Sequence, residues 1–336
     1  MATRMHIASS ARATVFRLVA VLGLALPPFW VSSAAVAEPK IDVPPGARNV
    51  TAEWQAFWRD GDIDAERVDT AFATVVDELR GYRVVVVPSY LSGILIDAGE
   101  FRLTDYFRSQ IEALNAERIE TVIAPVDTEE SVAENGRRLA AFIGVSDRPV
   151  CIVSHSKGGL DTLEFLLRAE PEVRRQIACW VVLQSPFAGS PVADLIVDED
   201  WTRGITEPML RALGGNGNSI DDLTVKVRSN YMKKYSQNIE NITKTIPMVV
   251  LATYLDGKRT PSLHVAPTYR WMHDESIEND GLVPVDSALL PNARYIVLPG
   301  LDHTDPVAKK PIMGNPIDRV LLWKSLLYMA LSDRPT

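Results

Sequence analysis

Six short runs rich in Val and Ile recur along this chain, at residues 83–88, 121–125, 150–154, 179–184, 248–253 and 295–298. Within each run the apolar residues are continuous rather than alternating, as in strands covered on both faces. Between them, residues 104–114, 131–143, 160–168 and 317–330 place apolar side chains at three- and four-residue steps, the period of helices with one buried face. Strand and helix taking turns predicts an α/β fold, with a mainly parallel sheet of about six strands and helices on both faces.

Two stretches depart from the alternation. Residues 44–80 read as a helical segment, with Thr51 as N-cap and an amphipathic run over 64–80. Residues 190–245 form a long excursion interrupted by Gly214-Gly215-Asn216-Gly217. An insertion of that length between two strands of one sheet reads as a cap or lid.

Residues 1–37 stand apart. They carry Arg4, Arg12 and Arg17, no acidic residue, the apolar run LVAVLGLAL and a closing Ala35-Val36-Ala37. That order predicts a secretory signal peptide cut before Glu38. Pro27-Pro28 ends the apolar run short of the roughly 20 residues a membrane span needs. Its removal leaves about 300 residues, the domain of residues 38–336, enough for one large α/β unit. The expected product is secreted or periplasmic, with no integral membrane segment. The full chain has a net charge of −8, and losing three arginines makes it more negative. Such a surface repels nucleic acid.

The only cysteines are Cys151 and Cys179. An even count in an exported chain suggests a disulfide. Both begin apolar runs, where cysteine often serves as a small hydrophobe, and this unpaired reading is slightly favoured.

The run at 150–154 leads directly into Ser154-His155-Ser156-Lys157-Gly158-Gly159 and then a helical pattern. A strand that turns sharply into a helix can expose a residue at the turn only if the residues two before and two after it are small. The pattern makes Ser156 the candidate nucleophile, although an inert serine at a helix start gives the same letters. A hydroxyl needs a base, and histidine is the usual one. Of five histidines, His6 leaves with the first segment, His155 should project away from the Ser156 hydroxyl, and His264 and His273 lie in an irregular stretch. His303 follows the last strand, at the carboxyl edge where sites of open α/β sheets gather. An acid must orient it, placed between Ser and His in the chain. Asp280, in Asn279-Asp280-Gly281-Leu282-Val283-Pro284, is preferred over Asp256. Oxyanion donors are expected from the amides of Lys157, after the nucleophile, and of Tyr90, in the loop after the first strand.

These patches resemble the secreted bacterial triacylglycerol lipases and esterases of the α/β-hydrolase fold. The resemblance runs from the strand at 84–87 through the Ser156 turn, Gln184-Ser185-Pro186-Phe187-Ala188-Gly189-Ser190-Pro191, Asn279-Asp280-Gly281-Leu282-Val283 and His303. It implies Asp280 as the acid and Tyr90 as the second oxyanion donor. It also raises a structural calcium, with Asp305 and Asp256 as candidate ligands, although no organic cofactor is called for. The family's usual His-Gly before the oxyanion residue is Pro88-Ser89 here, and its first elbow glycine is Ser154. The expected activity is hydrolysis of a small-molecule or lipid carboxylic ester through an acyl-enzyme. An acyltransferase, thioesterase, amidase or polyester depolymerase would use the same residues, and a non-catalytic binding protein could keep the scaffold.

Overall fold

The computed structural model describes residues 41–89, 106–127, 129–197, 219–262, 265–310 and 316–332. The segment 1–37, Tyr90, His264 and the glycine break at 214–217 lie outside the described residues.

The expected sheet is present with one more strand. β1 (Arg48–Asn49), β4 (Arg83–Val87), β5 (Glu120–Ile123), β6 (Val150–His155), β7 (Ile177–Leu183), β8 (Met248–Tyr254) and β9 (Arg294–Pro299) form a seven-stranded sheet in the order β1-β9-β8-β7-β6-β4-β5. All its pairings are parallel. A separate antiparallel hairpin joins β2 (Trp58–Arg59) and β3 (Asp62–Ile63). The continuous valines of β4 divide between two cores. Val84 and Val86 pack on one face of the sheet with Trp54, Leu79 and Trp323, whereas Val85 and Val87 pack on the other with Ile152, Leu163 and Trp180. Burial on both faces is why these strands lack alternation.

Residues 44–80 are less helical than expected. β1 and the β2–β3 hairpin interrupt them, and the later helix is broken in two, Ala65–Ala73 and Val76–Arg80. Thr51 is not an N-cap. It lies inside the short helix Thr51–Trp54 behind the N-cap Val50, and its hydroxyl accepts from the Val297 amide at 2.9 Å, tying the segment to β9. Asp64 is the cap of the longer helix, accepting from the Arg67 amide.

The unpaired reading of the cysteines is corrected: Cys151 and Cys179 form a disulfide. They are register partners on adjacent strands β6 and β7, with Cα atoms 4.5 Å apart. That spacing lies within disulfide range, and it depends on a register that sequence separation does not reveal.

Because the strands run parallel, β4, β6, β7, β8 and β9 all end at one edge. The segments that follow them bring Ser89, Ser156, Gln184, Asp256 and His303 to that edge.

Candidate active site

Ser156 sits between β6 and the helix Lys157–Arg168 with φ 53° and ψ −127°. A non-glycine residue adopts that conformation only when its surroundings enforce it. The enforcement is visible on both sides. The Ser156 amide donates to the Leu183 carbonyl at 2.9 Å, and its own carbonyl accepts from Gly159 at 2.9 Å. A Cβ on Gly158 would press on the carbonyl oxygens of Val87 and Pro88, the latter at 2.6 Å, so the helix can approach β4 only with glycine there. Ser154, the departure from glycine, is buried, and its hydroxyl accepts from the Trp180 indole at 2.8 Å.

Lys157 opens the helix, so its amide has no acceptor within it. Its side chain is buried and turned to Asp161, with Nζ 3.1 Å from Oδ1 and 3.3 Å from Oδ2. Asn135 also donates to Asp161 Oδ2 at 3.0 Å. Burial pushes the Asp161 carboxyl up to about 6, against the pull of Lys157.

His303 and Asp280 meet. His303 Nδ1 lies 2.8 Å from Asp280 Oδ2, and the His303 amide donates to the Asp280 carbonyl at 2.9 Å. Asp280 is fixed in turn by amides of its own loop, from Leu282 at 3.0 Å and Val283 at 2.8 Å to Oδ1. Gly281, at φ 101°, makes that turn, and a side chain there would collide with Val265. Both members of the pair are buried. His303 Nε2 has no hydrogen-bond partner among the described residues. Asp256, the competing acid, instead faces Lys258 at 3.2 Å.

Ser156, Lys157, Ser89 and His303 line one cleft, together with Val192, Ile196, Ile220 and Leu223 from the excursion and Leu282 and Val283 beside Asp280. Tyr90, the expected second oxyanion donor, lies outside the described residues. Its neighbour Ser89 is buried, with its amide donated to Tyr106 Oη at 3.1 Å.

Each of the two carboxylates expected for calcium, Asp305 and Asp256, faces a lysine. Lys310 Nζ lies 2.6 Å from Asp302 Oδ2 and 2.5 Å from Asp305 Oδ1. Lys310 thus pairs with Asp305, and Asp256 pairs with the exposed Lys258. Among the described residues no three His, Cys, Asp or Glu side chains gather as a metal set. Asp302 also accepts from the Ser262 amide and hydroxyl and from Thr304, which pins the loop carrying His303. Burial opposes its charge, yet Lys310 and these donors hold its carboxyl well below the usual range. Burial, and then Asp302, push Asp305 up to about 6.

Sequence reasoning missed Tyr106, Gln184, Asp302 and Lys310 as parts of this edge. Gln184 stood in a quoted motif and Asp302 beside His303, but nothing local marked any of them for a role.

No family model and no curated sequence matches the chain. In structure it is similar to a metagenomic carboxyl esterase, with a TM-score of 0.60 and 19% identity over 76% of each chain. It is also similar to the mature form of a lipase from Bacillus licheniformis, with a TM-score of 0.53 and 20% identity over 67% of this chain and 85% of that one. Identities this low carry architecture and not activity. By its parallel sheet, its strand–turn–helix at Ser156 and these similarities, the chain has the α/β-hydrolase fold.

Proposed function

We propose that this protein is an exported serine hydrolase of carboxylic esters. The observation that carries the reading is the pairing of His303 Nδ1 with Asp280 Oδ2 at 2.8 Å, with Nε2 left unpartnered at a cleft shared with Ser156. With Asp280 accepting from Nδ1–H, the lone pair of His303 is on Nε2, the atom that must take a proton. Ser156 Oγ attacks the ester carbonyl carbon while Nε2 removes its proton. The amides of Lys157 and Tyr90 donate to the oxyanion that forms. Collapse breaks the ester C–O bond, and the proton passes from Nε2 to the leaving alkoxide. Water, deprotonated by the same nitrogen, then attacks the acyl-enzyme carbonyl; collapse breaks the bond to Ser156 Oγ, which takes the proton back from Nε2 as the acid leaves.

The apolar side chains contributed by the excursion support a neutral ester with an apolar acyl group, and a lid role for residues 190–245. The Cys151–Cys179 bond supports an oxidising compartment, hence export. No helix among the described residues is long and apolar enough to cross a membrane.

The test is turnover of a p-nitrophenyl ester series from short to long acyl chains by the protein and its Ser156→Ala variant. The variant should lose on the order of 10⁴-fold or more in kcat. Equal rates in the two proteins, or no turnover of any ester or thioester, would sink the reading.

A further inference from the structure

His155 has no part in the proton transfer above, yet it joins three segments of the site. Its Nε2 lies 3.0 Å from the His303 carbonyl oxygen and 3.3 Å from Gln184 Oε1. A ring nitrogen facing two acceptors carries the proton. Nδ1 is then a bare lone pair, and Tyr106 Oη, 2.9 Å away, donates to it. The same phenol oxygen accepts from the Ser89 amide. Donation therefore runs one way, from Ser89 N–H to Tyr106, from Tyr106 O–H to His155, and from His155 N–H to the His303 carbonyl.

Gln184 completes the arrangement. It is held at φ 50°, and its Nε2 donates to the Asp302 carbonyl at 3.1 Å and to Thr253 Oγ1. Two consecutive carbonyls of the loop bearing the proposed base are thus held from below, one by Gln184 and one by His155. Ser89, at the other end, immediately precedes the residue proposed to supply the second oxyanion donor.

We propose that His155 and Tyr106 are positioning residues, a neutral relay of fixed tautomer that holds the Ser89 strand end and the His303 loop in register on either side of Ser156. The inference rests on the proposed ester-hydrolase chemistry for its catalytic consequence, though not for its geometry. Neutrality is part of the device. The His155 and His303 rings lie 4.7 Å apart between centroids, so a charged His155 would repel the imidazolium that forms when His303 takes a proton. Full burial, and then His303 itself, hold the His155 imidazole well below its ordinary range. Burial likewise raises the Tyr106 phenol and keeps it a donor.

Two measurements on the full chain test this. The first is ¹⁵N NMR of the histidine rings, with His155→Gln used to identify the resonances of His155. The relay requires a protonated Nε2, an unprotonated Nδ1 and no titration between about pH 5 and 8. An Nδ1–H tautomer, or ordinary titration in that interval, overturns it. The second is kinetics of Tyr106→Phe, which keeps the ring packed on Phe107 and removes only the hydroxyl. The expected change is a fall in kcat on the order of 10- to 100-fold with KM within about twofold. His155→Gln, which retains a donor for the His303 carbonyl, should lie between the native protein and His155→Phe. A Tyr106→Phe variant that only melts earlier, with kcat unchanged, contradicts the proposal. Should the native protein turn over no ester, the function above fails, and the tautomer alone decides for or against the relay.

Discussion

At the scale of single residues, His303 is constrained at its backbone amide by the Asp280 carbonyl, at its carbonyl by His155 and at Nδ1 by the Asp280 carboxylate. Only Nε2 remains for chemistry. Asp280→Asn keeps an oxygen for the Leu282 and Val283 amides but sets an amide group against Nδ1. The proton is then driven onto Nε2, where it blocks acceptance. We predict a loss near 10⁴-fold in kcat with a native-like fold, read by steady-state kinetics beside circular dichroism. A loss below about tenfold would mean that the carboxylate does not set the tautomer. That His303 would meet Asp280 and share a cleft with Ser156 was legible in the sequence, because the chemistry narrows the field. Few histidines exist, and only one follows the last strand. Tyr106 and Gln184 were not legible, because a buried polar relay assembles from side chains brought together only by the fold.

At the scale of elements, the turn at Ser156 depends on the approach of its helix to the end of β4. Gly158→Ala places a methyl group against two backbone carbonyls that cannot move away like a side chain. The expected cost is about 1–3 kcal/mol in denaturant unfolding, together with reduced turnover as Ser156 shifts. An alanine variant as stable and active as the native protein would show that the packing is looser than described. The His303 loop supplies a second prediction. Asp305, raised to about 6, binds its proton more tightly folded than unfolded, where its value is 3.8. Its contribution to stability is therefore full below 3.8 and lost as pH rises through about 6. Melting curves of the native protein relative to Asp305→Asn should show that decline, and a flat difference would contradict the assignment. Strand positions were legible from continuous Val and Ile. The segment 44–80 was not, because β1 and both strands of the hairpin are only two residues long, too short for a strand pattern to show.

At the scale of the whole molecule, the parallel sheet separates two cores and gathers Ser156, Asp280 and His303 at one edge. That much was legible, since alternation of element types leaves few other architectures. Register was not, and with it the disulfide that staples β6 to β7. Closing a loop between cysteines 28 residues apart restricts the unfolded chain by about 3–4 kcal/mol in the chain-entropy model. Replacing both cysteines by alanine should lower the melting temperature while leaving kcat near native, since neither sulfur lines the cleft. A variant that melts unchanged would argue against the bond. The central claim is that Ser156 is the nucleophile, and the most direct measurement is covalent. A fluorophosphonate probe is incubated with the protein, and the adduct is mapped by peptide mass spectrometry. The account predicts one adduct, on Ser156, lost in His303→Ala. An unmodified protein, or an adduct confined to another residue, would contradict it.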